Sequence, residues 1–323
     1  MTSTCRRTVA LVVTAAAVLA AALTACGSDG RTAPAMAGMP HRDGTHSAAP
    51  ATPGAHSMPG MPAAGVPGDG LSDTAAGYRM TSPGAQAMPG VPMPYRFTIT
   101  GPGGAPVTDF AVEQTQRLHF YAIRSDLTGF RHLHPSMAPD GTWTAQLPAL
   151  SPGTWRLYAS FTPAVSTVTG AGPAAGTGMG AAAQDLVLSR TLTVPGAVHA
   201  TPLPRPAPST AVDGYTVTVK GALSAGTAGP LTVDVTRGGA PVTDLEPYLG
   251  AYAHLTAFHA GDQALAHLHP LDEAATDAGE DPHGGPELAF HAELSKPGDW
   301  RLFLQFKAGG ALHTAALTLR VAG

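Results

Sequence analysis

This chain has little cysteine, little charge and no basic excess, and each shortage narrows what it can be. Its two cysteines, Cys5 and Cys26, both fall in the first 26 of 323 residues, so the remainder has neither a disulfide framework nor a thiolate to offer a metal. Charged residues are only 12%, too few for charged amphipathic helices. The formal net charge is -4 and no basic patch is visible, which argues against nucleic acid as a partner. What is abundant is Gly (39) and Pro (31), the composition of short strands separated by turns and linkers.

The N-terminus reads as an export signal over residues 1–25: Arg6 and Arg7 precede an apolar run from Val9 to Leu23. The closing Leu23-Thr24-Ala25-Cys26 resembles the lipobox of bacterial lipoproteins. That resemblance implies cleavage before Cys26, lipidation of its sulfur, and an extracytoplasmic chain anchored to the cell membrane. Removal of Arg6 and Arg7 would leave a net charge of -6.

Residues 26–74 lack a periodic apolar pattern and are expected to form a disordered stalk. Two clusters in it join spaced methionines to histidine: Met36, Met39 and His41, then His56, Met58 and Met61. Thioether sulfur is soft and prefers Cu(I), so the stalk is a candidate copper-capturing segment. His46 lies between the clusters, and Met80, Met88 and Met93 continue the methionines past it.

After the stalk the sequence repeats itself. The line H-x12-H-x-H-P occurs as His119, His132, His134, Pro135 and again, 135 residues on, as His254, His267, His269, Pro270. The segment from Gly103 to Asp109 recurs as Gly238 to Asp244 in the same register. We place repeat 1 at 75–194, a Pro-rich linker at 195–212 and repeat 2 at 213–323. Alternating or β-branched runs predict strands near 95–101, 117–124, 129–134, 142–147, 154–162 and 185–194 in the first copy. In the second they predict 215–220, 230–236, 251–259, 264–269, 287–293, 299–307 and 312–321. The fold class is all-β: two tandem immunoglobulin- or fibronectin-like β-sandwich domains, with Trp155 and Trp300 as core anchors. The copies differ by a Gly/Ala-rich insert (Gly170 to Ala183) in the first and an acidic one (Asp272 to Gly285) in the second.

Side chains two apart on a strand share a face, so His267 and His269 point the same way. A tight turn centred on 260 and 261 sets His254 opposite His267; one centred on 261 and 262 sets it opposite His269. Either choice puts three imidazoles on one face, and the same holds for His119, His132 and His134. Imidazole is the commonest metal ligand, and three at cross-strand distance can share one ion. His313, near the start of the last strand, is a candidate fourth ligand in repeat 2, where repeat 1 offers only Gln184 or Asp185. His259 has the wrong parity for the cluster, His283 is a candidate from the acidic insert, and His291 is not assigned. The competing reading is a structural cluster of imidazoles bonded to backbone carbonyls or water.

The segments from Tyr248 to Leu255, His267 to Pro270, Pro297 to Phe306, and His313-Thr314 resemble a group of exported bacterial domains found in lipoproteins or attached to heavy-metal efflux and copper-handling proteins. The resemblance covers both repeats and implies an Ig-like fold and a heavy-metal association. The function expected is scavenging, buffering or hand-off of a metal, copper before zinc or another divalent ion, with a metal-transport or metal-handling membrane protein as possible recipient. Turnover is not expected. Three histidines on one ion with an open fourth position suit zinc hydrolysis, but no general base is evident. The alternative function is a surface scaffold or adhesion module whose histidines are structural.

Overall fold

The computed structural model describes residues 68–164, 184–271 (apart from the side chain of 267) and 283–323. The signal segment, almost all of the stalk with its Met/His clusters and Cys26, and most of both inserts lie outside the described residues. Within them the regular structure is β throughout, and no helix is long and apolar enough to cross a membrane.

Repeat 1 contains β1 (Thr74–Ala75), β2 (Tyr78–Thr81), β3 (Met93–Thr100), β4 (His119–Arg124), β5 (Arg131–Leu133), β6 (Ser136–Met137), β7 (Thr142–Leu147), β8 (Gly153–Phe161) and β9 (Leu186–Val194). Its two antiparallel layers run β1-β2-β3-β7-β6 and β5-β4-β8-β9. Repeat 2 contains β10 (Ser209–Val212), β11 (Tyr215–Lys220), β12 (Gly229–Arg237), β13 (Ala240–Pro241), β14 (Ala253–His259), β15 (Leu265–Pro270), β16 (Glu287–Ala292), β17 (Gly298–Ala308) and β18 (Ala311–Val321). There β15 pairs with β14 through Leu265–Leu268 and then with β16 through His269 and Pro270. The order is therefore one path, β10-β11-β12-β16-β15-β14-β17-β18. The Pro-rich segment 195–212 is not linker throughout: Ser209–Val212 pairs along its whole length with β11.

Each sandwich closes over its own core. Phe97, Phe120, Trp143, Trp155 and Leu157 fill the first, and Val217, Leu231, Phe290, Trp300 and Leu302 the second. The two tryptophans are set alike: the Trp155 indole N–H donates to Ser151 O and that of Trp300 to Lys296 O, each at 2.9 Å. A burial contrast carries the next level of organisation. Strands such as β3 and β12 alternate buried and exposed, as one-sided strands must, whereas β4 and β14 are buried on both faces. What covers their second face is the other repeat. Tyr121, Ile123, Phe130 and Tyr158 of repeat 1 pack with Phe258, Leu265 and Phe303 of repeat 2 in a third, inter-repeat core. Phe130 stacks on Phe303 with ring centroids 4.4 Å apart and planes 11° off parallel. At its edge the Tyr158 hydroxyl donates to Gln263 O at 2.6 Å.

Candidate metal centre

The strand register decides which histidines meet. In repeat 1, Phe120 pairs with Leu133 and Tyr121 with His132, so one step further places His119 beside His134. In repeat 2, Leu255 pairs with Leu268 and Thr256 with His267, the register of a turn centred on 261 and 262, which places His254 beside His269. In both repeats the histidine face is the one turned away from the sandwich's own core, toward the inter-repeat core.

In repeat 1 the three rings converge. His119 Nδ1 lies 3.0 Å from His132 Nε2, and His134 Nε2 lies 3.2 Å from the same atom. One ligand nitrogen from each of the three falls within 4.8 Å of the other two. Two of the rings turn their outer nitrogens to acceptor oxygens, the backbone carbonyl of Glu113 and, with its Nε2 turned to Thr314, the amide oxygen of Gln305. His119 Nε2–H donates to Glu113 O at 3.1 Å and His132 Nδ1–H to Gln305 Oε1 at 2.8 Å. A neutral imidazole has one N–H, so His119 Nδ1 and His132 Nε2 present lone pairs to each other. Tyr121 stacks on His132 at 4.6 Å and holds the ring in place. Burial pushes the His119 pKa down to about 4, and that of His132 well below the ordinary histidine range. Burial, with His254 nearby, brings His134 to about 4. All three are therefore neutral near pH 7, the form that binds metal. Nitrogens at about 2.0–2.1 Å from a tetrahedral ion stand about 3.3 Å apart, close to the 3.0 and 3.2 Å of two of the three pairs, with the third within 4.8 Å. The donor set thus fits a divalent ion of zinc or copper type.

Repeat 2 places its histidines differently. The His254 Nε2–H donates to Tyr248 O at 2.7 Å, repeating the His119 contact. Its Nδ1, however, is met at 2.9 Å by the side-chain amide of Gln114 from repeat 1. With Nε2–H committed, this nitrogen accepts, and turning the amide so that Nε2 donates also gives that buried amide nitrogen, otherwise without a partner among the described residues, its bond. His269 Nε2 lies 3.1 Å from Asp185 Oδ2, again across the inter-repeat boundary. The Asp185 contact raises the His269 pKa, and that same contact draws the Asp185 carboxyl below its usual range. Glu113 shares the Thr162 hydroxyl with Asp185, and burial, reinforced by Asp185, raises its pKa. The side chain of His267 lies outside the described residues. Among those described, the one convergent set of ligand nitrogens is that of repeat 1.

A family model described as Domain of unknown function (DUF8832) matches residues 73–171 and again 210–323. The chain belongs to that family. Each DUF8832 match contains one full H-x12-H-x-H-P line, so both histidine sets fall within the family's own domain. No curated protein matches the chain. Among solved structures, the Escherichia coli adhesin FdeC is 11% identical over 77% of this chain and 65% of its own, with a TM-score of 0.22. Domains 4 and 5 of the S-layer protein SbsC are 10% identical over 76% of this chain and 98% of theirs, at 0.21. Escherichia coli alpha-2-macroglobulin is 13% identical over 76% of this chain, at 0.23, and the chain spans only 20% of its length. Similarities at this level say nothing about what a DUF8832 chain binds.

His313 is a correction to the sequence reading. It pairs with Phe306, a core residue, whereas His254 pairs with Gln305 on the outer face, so strand alternation sends the two imidazoles to opposite sides of the sheet. His313 instead contacts Asp213 Oδ2 at 2.8 Å and Ala308 O at 3.2 Å, between the rings of Tyr215 and Phe306. His259 points away from the cluster as its parity requires, bonding Asp262 Oδ1 at 2.8 Å. The residues that sequence reasoning missed are Glu113, Gln114 and Gln305. They act through contacts between or beside strands that no spacing within a single repeat encodes.

Proposed function

We propose that this protein is a membrane-anchored extracytoplasmic metal-binding protein whose folded site is His119, His132 and His134. The observation that carries the reading is the convergence of His119 Nδ1 and His134 Nε2 on His132 Nε2, at 3.0 and 3.2 Å, while the outer nitrogens of His119 and His132 are held by Glu113 O and Gln305 Oε1. Copper is the first choice because it heads the divalent series at nitrogen sites, and Cu(I) suits the thioethers of the stalk. Zinc or another divalent ion would fit the same three imidazoles. The chemistry is binding: scavenging, buffering or hand-off to a metal-handling membrane protein. The lipid anchor at Cys26, the extracytoplasmic location and copper capture by Met36, Met39, His41, His56, Met58 and Met61 are parts of this proposal that rest on the sequence.

The test is metal content by mass spectrometry after competitive loading of the full chain with copper, zinc and nickel. The expected result is a copper equivalent that disappears in His132→Ala/His134→Ala and persists in His267→Ala/His269→Ala. No metal lost on changing His132 and His134 would overturn the assignment, and no preference for copper over zinc would remove copper from it.

The second reading is a surface scaffold or adhesion module. It is favoured by a different observation: the apolar core around Phe130, Phe258 and Phe303 joins the two sandwiches, and His254 and His269 are satisfied by protein groups. On this reading His→Ala changes lower thermal stability and leave metal content unchanged.

A further inference from the structure

Gln305 lies on β17 between Leu304 and Phe306, both of which enter the core of repeat 2, so its own side chain faces repeat 1. It is 6% exposed. Its Nε2 donates to Thr314 Oγ1 at 3.5 Å, which turns the amide oxygen toward His132 Nδ1 at 2.8 Å. The matching position of repeat 1, opposite His119 as Gln305 is opposite His254, holds Ser160. Serine is two bonds shorter and carries no amide, so the reciprocal contact is not written into the first repeat.

The consequence lies in the tautomer of His132. With Gln305 Oε1 accepting from Nδ1–H, the lone pair of His132 sits on Nε2, inside the cluster. Among the described residues Gln305 Oε1 is the acceptor that holds the proton on Nδ1. Without it the ring can carry that proton on Nε2 and donate to His119 Nδ1, 3.0 Å away. One such internal hydrogen bond would occupy two of the three ligand nitrogens.

We infer that Gln305, a residue of the second repeat, is a positioning residue for the metal site of the first, so that the site is complete only when the two repeats are docked. The inference rests on the metal-binding reading and adds a regulator to it: anything that separates the repeats weakens the site.

The experiment compares the full chain with its Gln305→Leu and Gln305→Glu forms, titrated with Cu(II) against a competing chelator. Imidazole nitrogen NMR on the metal-free proteins reports the His132 tautomer. Loss of an outer-shell partner weakens metal binding by about 10–100-fold, and that loss is expected for the leucine variant together with a shift of the His132 proton to Nε2. The glutamate variant, which still accepts from Nδ1–H, should keep the wild-type tautomer and affinity. If the leucine variant does not fold, Gln305→Ser, the residue of the matching position, replaces it. Wild-type affinity and tautomer in the leucine or serine form would overturn this inference while the metal reading stands. A wild-type chain that binds no Cu(II) would overturn both.

Discussion

At the residue scale the protein places several imidazoles in a setting that disfavours their charged form. Three of them, His119, His132 and His134, have pKa values lowered first of all by burial. A histidine whose folded pKa lies below its unfolded value binds fewer protons when folded, so its contribution is present above the unfolded pKa, near 6.5, and is lost as pH falls toward the folded one. For His119 that window runs from about 6.5 down to about 4. In the metal-free protein its loss amounts to about 1.4 kcal/mol per pH unit within the window. The expected outcome, with a chelator present, is unfolding free energy that declines across this range. His119→Gln, which keeps a donor for Glu113 O, should decline less steeply. Urea titrations at a series of pH values measure the slope, and equal slopes in the two proteins would refute the account of His119.

At the element scale, most of this architecture is legible in the sequence. Strands β11, β14, β15 and β17 fall within a residue or two of the runs that predict them: β11, β14 and β17 carry β-branched or aromatic residues between glycines, and β15 is a short alternating Leu/His segment that ends at Pro270. Loop parity also succeeds: an even-length turn between β14 and β15 keeps His254 and His269 on one face. The reading of His313 as a fourth ligand fails, because a place near the start of the last strand does not say which side of the sheet the residue faces. Gly129 shows how tight the turns are. It has φ of +70°, and a Cβ there would lie 2.5 Å from Trp155 Cη2, so the turn that brings β5 back against β4 requires glycine. The element most open to challenge is the face of β17 carrying Phe303, which stacks on Phe130 across the repeats. Phe303→Ala removes a buried ring from the shared core and should cost about 3–5 kcal/mol. Calorimetry should show a single transition separating into two as the repeats lose their coupling. A single transition with an unchanged midpoint would mean that the inter-repeat core contributes little.

At the scale of the whole molecule, duplication has produced two unequal halves. The repeats share strand order, tryptophan anchors and the histidine line, yet Gln305 stands where repeat 1 has Ser160, and Gln114 where repeat 2 has Leu249. Those differences give one repeat a convergent nitrogen set and have the other repeat's His254 capped by its neighbour. None of this was legible from a single repeat, since strand periodicity identifies a buried face without naming what buries it. A signal was present nonetheless. The near-continuous apolar runs of β4 and β14 are those of strands covered on both sides.

The central claim is that one ion sits among His119, His132 and His134. Anomalous diffraction at the copper edge from crystals of the full chain grown with Cu(II) tests it most directly. The account predicts a peak about 2.0–2.1 Å from His119 Nδ1, His132 Nε2 and His134 Nε2. Crystals that diffract well and show no peak there, with the His119 and His132 nitrogens bridged by a hydrogen bond instead, would contradict it and leave the histidines as structural members of a tandem scaffold.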